Sequence, residues 1–332
     1  MSCRTCHVVS RRYLAFGLQS VMSLTLLALL FRSLDLVALR RLFATLPLWF
    51  HLFSLTVIIS GQVVYAWRWR LLLDASGVSV PLSAVLRQYF IGIFLNNFFP
   101  STVGGDMAKV YYLGRQHGYR PVAASIVADR LLSIGVLAVL AAAMYWVAPD
   151  PSPRFTAARA VVTLCAAGGA AVVLLLARGT GGLPQRLAPF GVRAVNAAGR
   201  LQRFRLDMAP AVNNPRVVIL AATVVVGYFT ILTAVYVTFA AVNLGIHPPF
   251  FVVMTAVTTA SLLSNVPVSV NGLGIREQLH AMLLAPLGFP REAAVAISLL
   301  LFAHVLLSSL LGFACWLRLP VLPDTVASET QA

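Results

Sequence analysis

Asp106 and Lys109 follow the glycine pair Gly104-Gly105, and Arg276 and Glu277 follow Gly272-Leu273-Gly274, in a chain with few charges. Glycine lets a backbone approach a ligand closely, and the first turn of a helix presents unpaired N–H groups at the positive end of its dipole. A cation beside such a turn suits an anionic group such as a lipid phosphate. Lys109 is the only lysine in a chain whose Lys and Arg total 25, so general composition does not account for it. The bland alternative is that glycine and proline make turns, Asn96, Asn97, Asn265 and Asn271 cap helix ends, and Asp106 serves as an N-terminal acid. Cost argues against that alternative. An ionisable group at membrane depth costs about 2.5–3.5 kcal/mol, so these four side chains need a polar cavity or mutual pairing.

Around them, Pro100 and Ser101 in the first segment and Ser269 in the second complete two polar tips. Asp129-Arg130 is read either as an interfacial ion pair or as a source of a second, bidentate phosphate partner in Arg130. Arg87 has the same two readings. His280 and His304 fall on apolar sequence and read as satisfied core histidines or as proton carriers. No nucleophile elbow, phosphate-binding loop, zinc motif or acidic metal cluster occurs, and only Asp106 and Glu277 have carboxylates placed to converge. The expectation is a protein without cofactor, metal or catalytic residues. Cys3-Arg4-Thr5-Cys6-His7 has the spacing of covalent haem attachment, but the orientation derived below puts that arm inside the cell, where such attachment does not occur.

The elements that must position these residues are membrane helices. Of 332 residues, 59% are hydrophobic and only 11% charged, with a mean hydropathy of +0.86, which leaves too little polar side chain to cover a soluble domain. The formal charge of +15 invites a nucleic-acid partner, but the arginines sit between apolar runs and read as orientation signals instead. Runs at 13–31, 46–67, 131–148, 158–177, 217–241 and 293–317 are each close to the ~20 residues that span a bilayer core. Two further stretches, 82–116 and 249–288, are interrupted by Pro, Gly, Asn and charge and cannot be plain spans. The expected fold is an all-α polytopic bundle of about six spans and two re-entrant helical hairpins.

Seven arginines against one acid assign the 178–216 loop to the cytoplasm. Both termini, the arm 1–12 and the tail 319–332, then lie inside, flanking a membrane domain over 13–318. The first hairpin enters from the cytoplasmic face and the second from the opposite face, so that halves 46–148 and 217–317 form an inverted-topology repeat, a construction common in secondary transporters. Without gaps, Leu95/Leu263, Asn97/Asn265, Ser101/Ser269 and Gly104/Gly272 coincide. A headgroup held between the two tips by Lys109, Arg130 and Arg276 is the arrangement this symmetry suggests.

The run Leu95–Gly114, the Asp129-Arg130-Leu-Leu132 element, Val268–Glu277 and the following Arg291-Glu-Ala-Ala-Val295 resemble the lysylphosphatidylglycerol synthase transmembrane, or flippase-like, family. The resemblance implies an inner-membrane protein that moves a phospholipid or another anionic amphiphile between leaflets. Two-domain members carry a cytosolic aminoacyltransferase, whereas this sequence ends about 14 residues past its last apolar run and looks like the membrane unit alone. Gln278 stands where the family pattern has a small residue. Two rivals stay open: an integral-membrane enzyme of lipid or lipid-linked glycan synthesis, and an accessory partner of a separate synthase.

Overall fold

The structure is a computed structural model that describes residue 32 and residues 36–98, 104–148, 153–178, 192–265 and 272–318. The first apolar run, the Cys3/Cys6/His7 arm, the C-terminal tail and the tip residues Pro100, Ser101, Ser269 and Asn271 lie outside the described residues.

The chain runs through α1 (Leu36–Thr45), α2 (Leu48–Ala75), α3 (Leu82–Phe98), α4 (Gly104–His117), α5 (Tyr119–Val147), α6 (Pro153–Arg178), α7 (Val192–Val212), α8 (Pro215–Phe239), α9 (Phe250–Ser264), α10 (Ile275–Leu284) and α11 (Arg291–Leu317). Helix starts follow the local chemistry. Pro47, Pro249 and Pro290 stand at the caps of α2, α9 and α11, and Asn214 caps α8 by accepting from the Arg216 N–H, with Pro215 in the first turn. A π-helical extension, Ala240–Leu244, lengthens α8. Four helices among the described residues are long and apolar enough to cross a bilayer: α2, α5, α8 with its extension, and α11. Both interrupted stretches are helix pairs, α3/α4 and α9/α10, whose arms pack on each other.

The two halves are α2–α5 and α8–α11, and their packing is mutually exchanged. α3 lies on α11 as α9 lies on α5; α2 meets α11 as α8 meets α5; α4 and α10 each return along the long helix that follows them. Direction follows from named contacts. Phe50 touches Phe239, Tyr65 touches Tyr228, and Leu72 packs with Val217, so α2 and α8 run antiparallel. Arg68–Asp129 and Trp69–Ser125 make α5 antiparallel to α2, and Ser54–His304 with Gln62–Ser308 make α11 parallel to it. Each hairpin therefore leaves and rejoins the same end of its half, and the two halves are inverted.

Three element boundaries differ from the sequence reading. α5 starts at Tyr119 rather than near 131, so Asp129 and Arg130 sit well inside a helix instead of at its entrance. α2 likewise continues through Trp67-Arg68-Trp69-Arg70. Hydropathy stops at a charge, whereas a helix passes through one that finds a partner. The basic 178–216 segment is not all loop, since it contains α7, whose Met208, Ala211 and Val212 pack on Leu72, Ala124, Ala128 and Ala221.

Candidate functional site

Within the first half, α2, α3, α4 and α5 enclose a cavity of ≈ 210 Å³. Asp106 is its hub. Its Oδ1 accepts from Lys109 Nζ at 3.2 Å, and its Oδ2 accepts from Arg130 Nε at 2.5 Å. Lys109 Nζ lies 4.6 Å from the Tyr89 ring centroid and 5.3 Å from that of Trp69, an aromatic sandwich that favours a cation. On the adjoining wall, Arg68 donates Nε to Asp129 Oδ1 at 2.9 Å and Nη2 to Ser133 Oγ at 2.6 Å, with its guanidinium 4.5 Å from the Tyr65 ring. Arg68 is only 2% exposed, and its Nη1 has no hydrogen-bond partner among the described residues. Three cations face two carboxylates, leaving one unit of positive charge, and half-exposed Arg130 stands where it meets the surroundings.

The hairpin geometry explains how Lys109 reaches this place. A Cβ on Gly105 would fall 1.9 Å from the Gly92 carbonyl oxygen, so only glycine allows α3 and α4 to touch along their backbones. The Gly105 N–H donates to Asn96 Oδ1 at 2.8 Å, which caps the returning helix from the first arm. That donor is thus used within the hairpin rather than left free for a ligand.

A second cavity of ≈ 240 Å³ lies in the other half between α8, α9, α10 and α11. Counting from the first residue of each helix, its lining repeats that of the first: Tyr236 stands for Trp69, His280 for Lys109, Leu301 for Asp129, Phe302 for Arg130 and Val305 for Ser133. The same register puts Val235 at the place of Arg68 and Glu277 at that of Asp106. The second cavity is therefore the charge-poor counterpart of the first. Arg276 is its one charged lining residue, and it is held by Glu277 Oε1 at 2.6 Å from Nη2 and stacked 4.7 Å from the Phe302 ring. Glu277 is fully buried and also accepts from Gly274 N at 2.7 Å and from Ser298 Oγ at 3.4 Å. His280 donates Nδ1–H to the Arg276 carbonyl oxygen at 2.8 Å and accepts the Tyr236 hydroxyl at Nε2 at 2.8 Å, which makes it a fully satisfied core histidine.

The structure brings Asn96, Asp106, Lys109, Asp129 and Arg130 to the first cavity and adds Asn265 from the end of α9 to its wall. Gly104 and Gly105 start α4 beside it. Gly272 and Gly274, both at positive φ, shape the approach to α10 at the other site. Arg276 does not join Lys109 and Arg130, and Asp106 and Glu277 hold equivalent helix positions in separate halves instead of converging, Asp106 lining the first cavity and Glu277 buried behind Arg276 at the second. Asn97 ends the first arm and makes a contact of its own. Arg87 is exposed on α3. Tyr65, Arg68, Trp69 and Tyr89 are the residues that sequence reasoning missed. The signal was present in the Trp67-Arg68-Trp69-Arg70 run, where arginines two apart on a helix point to different faces.

Between the cavities, the Tyr65 and Tyr228 rings meet edge to face with centroids 5.3 Å apart. Tyr65 lines the first cavity and Tyr228 the second. Tyr228 also closes an apolar groove of ≈ 240 Å³ between α2 and α8, along Val57, Gly61, Val64, Val224 and Ile231.

An inverted-repeat helical membrane protein with one charged cavity and one charge-poor counterpart is the class these features define. The family model for the lysylphosphatidylglycerol synthase TM region matches residues 16–312, and the chain belongs to that family. It is similar to a UPF0104 membrane protein of Methanothermobacter thermautotrophicus, 24% identical over 287 residues that cover 78% of this chain and 80% of that protein. A UPF0104 membrane protein of Pyrococcus horikoshii is 32% identical over 89 residues, covering 26% of this chain and 27% of the relative. No solved structure matches.

Proposed function

We propose that this protein moves a phospholipid, or a related anionic amphiphile, between the leaflets of the cell's inner membrane, with both chain ends cytoplasmic. The observation that carries the reading is the excess positive charge of a cavity buried among membrane helices, where Arg68, Lys109 and Arg130 outnumber Asp106 and Asp129. An anionic headgroup competes with Asp106 for Arg130 and Lys109, and Arg130 offers the bidentate fork that phosphate accepts. The acyl tails stay in lipid and along the α2–α8 groove, which Tyr228 joins to the second cavity. Rocking of one half against the other changes which side the headgroup faces. The membrane orientation is supported by the ion pair of Arg120 Nε with Asp207 Oδ2 at 2.8 Å, which holds the basic helix α7 at the arginine-bearing start of α5.

Purified protein in liposomes with a headgroup-labelled anionic lipid tests this. Wild type is expected to move label between leaflets at least tenfold faster than protein carrying Lys109→Gln and Arg130→Gln. Equal rates for the two proteins, or a wild-type rate equal to that of protein-free vesicles, would overturn it.

A further inference from the structure

The two crossings related by the repeat, α2 with α11 and α8 with α5, are chemically unlike. In the first, His51 Nδ1 lies 3.4 Å from His304 Nε2, and Ser54 Oγ lies 3.0 Å from His304 Nδ1. By the helix register, the counterparts of His51, Ser54 and His304 are Val218, Ala221 and Leu132, which pack together in one apolar cluster. Packing at this crossing is met by apolar side chains in one half, so the two imidazoles of the other are not needed for it. Ionisable side chains retained between membrane helices mark function.

Hydrogen-bond directions define what the pair can hold. With the hydroxyl hydrogen of Ser54 assigned to the Phe50 carbonyl oxygen at 2.8 Å, its shortest contact, Ser54 Oγ is the acceptor for His304 Nδ1–H. Neutral His304 then presents bare Nε2 to His51, which donates Nδ1–H and keeps Nε2 for another proton. His304 is 4% exposed, whereas His51 is half-buried in the first turn of α2. We propose that His51 and His304 form a single-proton site in the seam between the two halves, which couples proton uptake to their relative movement. A proton from water adds to His51 Nε2, and the Nδ1–H is then shared as a charge-assisted bond to His304 Nε2. The loaded bond is stronger than the neutral one and ties α2 of one half to α11 of the other; loss of the proton to water loosens the tie.

No charged side chain among the described residues forms an ion pair with either ring. α1 and α3 bring Arg40, Arg41 and Arg87, and α8 brings Arg216, all exposed. On α5 and α10, Asp129, Arg130 and the Arg276–Glu277 pair are engaged at the two cavities, and Arg120 of α5 is paired with Asp207 of α7. Arg70 and Asp74 of α2 pair with each other, Arg203 and Arg205 lie on α7, and Arg291 and Glu292 open α11. The added charge is thus held by the pair itself.

The coupling, though not the proton site, rests on the proposed lipid movement, so two readouts separate them. In liposomes with a headgroup-labelled anionic lipid, a transmembrane pH difference is expected to change the wild-type rate severalfold, and His51→Gln and His304→Gln to keep the rate at zero gradient while losing the response. The triple variant His51→Val/Ser54→Ala/His304→Leu copies the apolar counterpart crossing and is expected to fold and to lack the response. A gradient response retained by these variants, or absent from wild type that moves lipid, would overturn the coupling. Nitrogen-15 NMR of histidine-labelled protein in nanodiscs reads the site whether or not lipid moves: one proton shared by both rings, abolished by either single substitution, is expected. Two rings that titrate independently would overturn the site.

Discussion

Arg130 on α5 donates its Nε–H to Asp106 on α4 at 2.5 Å, and the same carboxylate holds Lys109, so one acid restrains two cations of the first cavity. On the proposed function, an anionic headgroup displaces that acid to bind. Asp106→Asn is therefore expected to tighten retention of an anionic phospholipid severalfold, and Arg130→Gln to weaken it about tenfold, the ~1.4 kcal/mol of one charge-assisted bond. Native mass spectrometry of lipid retention on detergent-solubilised protein measures both. Unchanged retention in both variants would remove this cavity as the headgroup site.

Arg68 and Asp129 make a different prediction, because Arg68 is 2% exposed and its partner Asp129 only 18%. Arg68→Leu alone leaves Asp129 unpaired and is expected to cost about 3–5 kcal/mol, read as a lowered Tm in detergent. The counterpart positions in the second half are Val235 and Leu301. The double variant Arg68→Val/Asp129→Leu is expected to recover most of the stability. A double variant no more stable than the single one would show that the pair does more than neutralise itself.

Much of this organisation is legible in the sequence because lipid imposes few solutions. Long apolar runs become α2, α5, α8 and α11, and Gly, Asn and Pro inside apolar sequence become the breaks of α3/α4 and α9/α10. Asp106, Lys109 and Arg130 are legible because a charge there needs a reason. Arg68 was hidden by its neighbours, since a Trp-Arg-Trp-Arg run looks like an interfacial anchor until α5 places Asp129 against it. The division into two cavities was also hidden. Symmetry in the tips suggests a shared centre, whereas the return of α4 along α5 and of α10 along α11 gives each half a centre of its own.

Gly92 and Gly105 separate fold from site within one hairpin. A Cβ on Gly105 would lie 1.9 Å from a backbone oxygen, and neither arm can yield without opening the hairpin. Gly105→Ala is expected to lower stability by 3 kcal/mol or more on the rough scale of severe overpacking. A Cβ on Gly92 would instead lie 2.4 Å from Lys109 Cε, the far part of a flexible side chain, with the Gly105 oxygen at 3.3 Å. Gly92→Ala is expected to keep a folded protein, by Tm and gel filtration, and to lose most lipid movement because Lys109 is pushed from between Trp69 and Tyr89. Full activity in Gly92→Ala would show that this placement of Lys109 is unimportant.

Asp106 and Glu277 are each the third residue of a returning helix, yet their surroundings give them opposite roles. Asp106 faces a cavity and shares two cations, whereas Glu277 is wholly buried and spends its oxygens on Arg276, Ser298 and the Gly274 N–H. Glu277→Ala removes the cap and strands Arg276, and is expected to cost about 3–5 kcal/mol of stability. Glu277→Gln keeps an acceptor for the Gly274 N–H and is expected to cost less. Retention of anionic lipid at the first cavity is expected to match wild type in Glu277→Gln, measured beside Asp106→Asn in the same assay. A fall in retention as large as that of Arg130→Gln would mean that the two cavities bind one ligand together, and the separation drawn between them would fail.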